Sequence, residues 1–240
     1  MKKLVFGISA LLFSALANVA FAAGSLQVSP IGLDLQQQSS VLHLSNPGDE
    51  VVKAQVRIFK WQQINGKEML VATRDVVASP PQMALAPGAK NVVRVVRLSK
   101  QPIVGEETYR ILVDQLPKPV NKKGANISFL MRYSIPVFFN SPDAQVGQIS
   151  WNGQIKNGNL IITASNNGDR RVKLSALKIT GPSGQVNKSS QGLAGYVLGG
   201  ATNTLLVTKL PKGIKAGSQL EIAVNTDQGP LKSVVRLAGK

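Results

Sequence analysis

The chain is nearly empty of residues that carry acid–base, nucleophilic or metal chemistry. It has no cysteine and a single histidine. That excludes thiol catalysis, cysteine zinc sites, iron–sulfur clusters and histidine-rich metal sites. His43 sits in Val41-Leu42-His43-Leu44-Ser45-Asn46, alternating into a Pro47-Gly48 turn. This is the setting of a strand histidine near the surface, and no local signature makes it the base of a Ser-His-Asp triad. Glu106 and Glu107 are adjacent, so on a strand they point to opposite faces, unlike the facing carboxylates of a glycosidase. Gly192, Gly195, Gly199 and Gly200 lack the strand-to-helix setting of a phosphate loop. The expectation is a protein without catalysis, metal or cofactor, working by contact.

The elements that would position such contacts follow an export signal. Lys2 and Lys3 precede an apolar run from Leu4 to Leu16, and Ala20-Phe21-Ala22 forms a small-x-small cleavage site. Residues 1–22 therefore read as a secretory signal peptide, and no later segment reaches membrane-spanning length. The full chain carries 28 Lys and Arg against 12 Asp and Glu, a net charge of +16; without Lys2 and Lys3 the balance is +14. Export and the scatter of the basic residues argue against nucleic acid as partner. A basic surface steers toward acidic partners instead.

The mature sequence reads as short strands. Val51, Ala54, Val56, Ile58 and Trp61 interleave with Lys53, Gln55, Arg57 and Lys60, a period near two. A turn at Ala86-Pro87-Gly88-Ala89 precedes the Val-rich run from Asn91 to Leu98. Beyond Ser141-Pro142-Asp143, turn dipeptides such as Asn152-Gly153, Asn157-Gly158 and Lys212-Gly213 recur between β-branched runs. Such spacing points to β-sandwiches. The expected units are 23–141 and 142–240, each the size of one immunoglobulin-like sandwich.

The most informative segment is Ile127 to Phe139. Positions 127, 129, 131, 133, 135 and 137 are Ile, Phe, Met, Tyr, Ile and Val, one face of a strand of about 35 Å. Pro136 cannot donate to a ladder, so the strand should be unpaired on one side there. The pattern fits an ordinary strand whose odd face fills its own core. That is the reading the residues alone favour slightly; the sharper one is a strand presenting an apolar row to another protein by strand addition.

Three landmarks carry a resemblance: Leu85-Ala86-Pro87-Gly88-Ala89-Lys90-Asn91-Val92-Val93-Arg94, then Glu107-Thr108-Tyr109-Arg110 with Leu116-Pro117, then the Ile127–Phe139 strand. With Asn225-Thr226-Asp227-Gln228-Gly229 as a weaker match, the chain resembles the periplasmic pilus-assembly chaperones of the chaperone–usher pathway over nearly all of its mature length. The resemblance implies an all-β fold, two immunoglobulin-like domains in a boomerang arrangement. It implies that strand 127–139 completes a pilin subunit lacking one strand, with Ile127, Phe129 and Met131 inserted into the subunit's groove and Tyr133 extending the row. Pilus subunits and an outer-membrane usher are the implied partners, in the periplasm, without direct membrane insertion. The exposed row leaves self-association of the free protein open. A structural pilus or adhesin subunit and a secreted carbohydrate-binding sandwich are the alternatives. The first would carry its own donor extension ahead of one incomplete domain; the second would want exposed aromatics.

The chain departs from the family at the cleft. Better-known members anchor the subunit's carboxylate with an Arg on the first strand and a Lys on the seventh, but the matching places here, near Ile31-Gly32 and at Pro136, are not basic. The departure resembles the divergent, so-called archaic branch, and makes Arg110 the implied replacement anchor, since a guanidinium offers a carboxylate two parallel donors. Arg94, Glu107 and Asp227 match a charged trio that the family buries between its domains.

Overall fold

The computed structural model describes residues 25–117, 129–184, 186–189 and 191–239. The signal peptide at 1–22 and Ile127 lie outside the described residues. The first sandwich holds β1 (Gln27–Ser29), β2 (Leu33–Leu35), β3 (Ser39–Ser45), β4 (Val52–Ile64), β5 (Lys67–Ala72), β6 (Val76–Ser79), β7 (Gln82–Leu85), β8 (Lys90–Arg97), β9 (Glu106–Gln115) and β10 (Arg132–Asn140). The second holds β11 (Ile149–Lys156), β12 (Asn159–Asn166), β13 (Val172–Thr180), β14 (Val186–Ser189), β15 (Leu193–Val197), β16 (Thr202–Lys209), β17 (Gln219–Thr226) and β18 (Gly229–Arg236).

Sheet β1-β3-β8-β6 faces sheet β2-β10-β9-β4-β5, which β7 joins along β4. In the second sandwich, sheet β11-β12-β16 faces sheet β14-β13-β17-β18, which β15 joins along β13. Each sandwich has its own core, because strand alternation sends every second side chain inward. Leu42 and Leu44 of β3, Val93 and Val95 of β8, Tyr109, Ile111 and Val113 of β9, and Ile135, Val137 and Phe139 of β10 fill the first core. Tyr109 and Phe139 meet edge to face, 5.9 Å apart, a favoured aromatic geometry. Leu160, Ile162, Leu174, Ile179, Leu220 and Ile222 fill the second core. His43 lies outward on β3 between the buried Leu42 and Leu44.

Two strands break the alternation where the sandwiches meet. On β4, Val52, Ala54 and Val56 point into the first core, whereas Trp61, at the other phase, is buried on the opposite face. On β10, residues Ile135 to Asn140 are all buried. Odd positions fill the core, and Phe138 joins Trp61, Tyr196 and Leu198 in a separate apolar cluster between the sandwiches.

The 127–139 strand is shorter than the sequence predicts. β10 begins at Arg132, and the described residues Phe129 to Met131 are not part of it. Its ladder partner β9 ends at Gln115, whose N–H donates to the Met131 carbonyl at 2.9 Å. A strand needs a neighbour to satisfy its backbone, and among the described residues the β9–β10 ladder stops near this bond.

Candidate functional site

The apolar row of the β10 segment divides in three. Ile135, Val137 and Phe139 belong to the core. Tyr133 is half-buried, and its hydroxyl donates to the Leu26 carbonyl at 2.6 Å. Met131 is 45% and Phe129 85% exposed, with Leu130 beside them at 47%. An exposed apolar run continuing a core strand marks an interaction site rather than a packing surface. Its base is clamped on the even face. Asp114, nearly buried on β9, accepts hydrogen bonds from Arg57 of β4 at 2.7 Å and from Arg132 of β10. Burial opposes the Asp114 charge, yet the two guanidinium contacts outweigh it and hold its carboxyl below the usual range.

The second part of the site is the cleft between sandwiches. Gly32 and Pro136 adjoin there: a Cβ on Gly32 would lie 3.7 Å from the Pro136 ring. Arg110 is directly opposite Pro136 in the β9–β10 register. It therefore stands next to the two positions that lack the basic residues implied by the resemblance. Its guanidinium stacks 3.8 Å over the Trp61 ring and lies 5.8 Å from the ring of Tyr196 in the second sandwich. Its side chain is 13% exposed, and among the described residues its one carboxylate neighbour is Glu68, 3.9 Å away and itself half-exposed. Burial lowers the Arg110 pKa, although a guanidinium so far above neutral stays charged. A partly desolvated cation with unfilled donors can accept a carboxylate.

The charged trio Arg94, Glu107 and Asp227 does not form. Arg94 is exposed on β8, between Val41 and Ser79 in the ladder, and Asp227 is exposed as well. Glu107 is gripped by Arg97 instead, through bonds of 2.8 Å from Nε and 2.7 Å from Nη2. Arg97 also donates to the Ser99 and Gln101 carbonyls. Strand geometry is the reason: positions 94 and 97 are three apart and so face opposite sides, and 97 shares the inward phase of Val93 and Val95. The hydrogen bonds from Arg97 hold the Glu107 carboxyl below its usual range.

The charges that bridge the sandwiches are others. Arg171 donates to Glu106 from its backbone N–H at 2.9 Å and from Nη1 at 2.6 Å, and to Asp34 from Nη2. Its guanidinium also covers the Phe138 ring at 3.9 Å. The Glu106 side chain is wholly buried, and burial raises its pKa against the pull of Arg171. Glu106 and Glu107 do face opposite ways; the outward one meets the second sandwich. Two further ties join them. Gln63 donates to the Tyr196 carbonyl at 2.8 Å and accepts from the Leu198 N–H at 2.9 Å. The Asn65-Gly66 turn, with both residues at positive φ, presents the Gly66 carbonyl to the Thr204 N–H at 3.0 Å. Asn-Gly is the characteristic dipeptide of a tight hairpin turn, a signal that could have found this turn but not its partner in the second sandwich.

The site is thus two sandwiches locked at an aromatic and charged cleft, with an apolar strand end left over. The family profile described as "Pili and flagellar-assembly chaperone, PapD N-terminal domain" matches residues 25–144, half of the chain, and the chain belongs to this family. Its fold is similar to that of solved chaperones. The CsuC–CsuE chaperone–tip adhesion subunit complex from archaic chaperone–usher Csu pili of Acinetobacter baumannii matches at 24% identity and TM-score 0.66, over 90% of this chain and 99% of that one. The SafA pilin–SafB chaperone complex of Salmonella enterica matches at 17% and 0.58, over 90% and 98%. The Escherichia coli chaperone DraB matches at 18% and 0.56, over 88% and 98%. No curated protein matches.

Proposed function

We propose that this chain binds pilus subunits in the periplasm by donor-strand complementation, caps their hydrophobic groove and delivers them to an outer-membrane usher. Pilus chaperones of this family are periplasmic, and residues 1–22 serve here as the cleaved leader. The observation that carries the reading is the split of one strand. Its lower odd positions, Ile135, Val137 and Phe139, are core, while Phe129 and Met131 continue the same row into solvent. Ile127 extends the row by sequence. Arg110 takes the subunit's terminal carboxylate in the cleft, and Tyr133 closes the row near the sandwich. The absence of basic residues at Ile31-Gly32 and Pro136 supports reading the chain as a member of the archaic branch.

Burying each of Phe129 and Met131 contributes roughly 1.5–3 kcal/mol to the complex. No nucleotide is required, since release exchanges one strand for another. The test is Phe129→Asp. Subunit survival in the periplasm should collapse while the melting temperature stays near that of the parent, because the side chain is largely exposed at home. A first sandwich that unfolds in this variant would return Phe129 to the core and end the reading.

A further inference from the structure

The surroundings of Arg110 come from both halves of the molecule. Trp61 supplies the ring beneath it from β4, and Tyr196 supplies a second ring from the end of β15. Tyr196 stands edge-on to Trp61, centroids 5.5 Å apart and planes at 85°. Its backbone is held twice: its carbonyl accepts from Gln63 of the first sandwich at 2.8 Å and from Asn203 of the second at 2.9 Å. An arginine with its donors unfilled has many rotamers of similar energy unless its flat faces are confined. Cations within about 6 Å of an aromatic centroid are attracted to it.

We propose that Tyr196 is a positioning residue for Arg110. The carboxylate-capture site is then composite, its cation on the first sandwich and its confining ring on the second. This rests on the reading of Arg110 as the carboxylate anchor. The role of the second sandwich thereby extends from support to a share in subunit affinity. The ring does this, and the hydroxyl does not, because the contact with Arg110 is through the aromatic face.

The test uses the full mature chain and an acetylated hexapeptide of alternating Thr and Val, prepared with a free C-terminal carboxylate and as its C-terminal amide. The parent should prefer the carboxylate form by about thirtyfold or more, the scale of one charge-assisted contact. Arg110→Gln should abolish that preference. Tyr196→Ala should remove most of it, and Tyr196→Phe should keep it. Leu198→Ala, which thins the same apolar cluster without touching Arg110, should keep it too. Should Tyr196→Ala fail to fold, Tyr196→Leu replaces it with the same two outcomes. Loss in Arg110→Gln with full retention in Tyr196→Ala overturns the positioning role alone. Equal loss in Leu198→Ala also overturns it, since general loosening of the interface would then be the cause. A parent without preference, or an Arg110→Gln variant that retains it, overturns the anchor itself and the positioning role with it.

Discussion

Arg110 and Pro136 are direct partners across the β9–β10 ladder. The residue type implied for the seventh strand is missing, and a cation stands one strand over, on the same outer face. The Arg110 guanidinium lies on an aromatic surface, which confines a guanidinium without neutralising it.

Arg110→Ala should therefore separate capture from folding. Losing a charge-assisted contact in a partly desolvated cleft is expected to cost about 2–3 kcal/mol of subunit affinity. The loss of stacking on Trp61 costs the fold only about 1 kcal/mol. Co-elution with a subunit and thermal unfolding read the two effects separately, and undiminished capture by the folded variant would remove Arg110 from the site.

Glu106 and Arg171 should behave as one unit. Either truncation leaves its partner buried and under-satisfied, with an expected loss of about 3 kcal/mol. A double-mutant cycle of Glu106→Ala and Arg171→Ala should show coupling above about 1 kcal/mol. The same cycle on Arg94 and Asp227 should be additive. Coupling there, with none at Glu106–Arg171, would reverse the assignment of the bridging charges.

Acid should weaken the first sandwich. The carboxyls of Glu107 and Asp114 are held below their ordinary range by Arg97 and by Arg57 and Arg132. Groups so depressed favour the folded state above the unfolded carboxylate range and lose that contribution as pH falls through the folded pKa values. Glu106 is shifted the opposite way by burial, so its protonation partly offsets the loss. The melting temperature should fall below about pH 4. Glu107→Gln, less stable at neutral pH, should show a flatter fall; an equally steep one would take Glu107 out of the account.

Gly66→Ala should destabilise by about 1 kcal/mol or more. The residue has φ +74°, and an added Cβ would lie 2.3 Å from the Thr204 hydroxyl oxygen. Thr204→Ala in the same chain should return part of the loss, leaving the backbone strain. Urea denaturation of the two variants measures both parts, and full stability in Gly66→Ala would show that the hairpin tie is slack.

Much of this was readable from residue order, because strand alternation and turn dipeptides are local. The inward Ile135, Val137 and Phe139, the outward His43 and the opposed Glu106 and Glu107 are all consequences of period two. What was not readable is which outer face another sandwich covers. Trp61 sits at the solvent phase of β4 and is buried by Phe138, by the Arg110 guanidinium and by Tyr196 and Leu198 of the second sandwich. The same gap misassigned the charges. Arg97 occupies an apolar phase of the Val-rich run, a signal that it needs a buried partner, whereas Arg94 occupies a solvent phase. Choosing Arg94 for Glu107 and leaving Arg171 unassigned follows from reading motif positions without their phase.

β10 acts as a ruler for the exposed residues just ahead of it. Ile135, Val137 and Phe139 are pinned, so the side to which Phe129 and Met131 turn is decided when this chain folds, before any subunit arrives. The facing of that row is thus inherited from the core of the first sandwich. A single residue inserted between Met131 and Ile135 would leave the core intact, yet turn the row over and present its back.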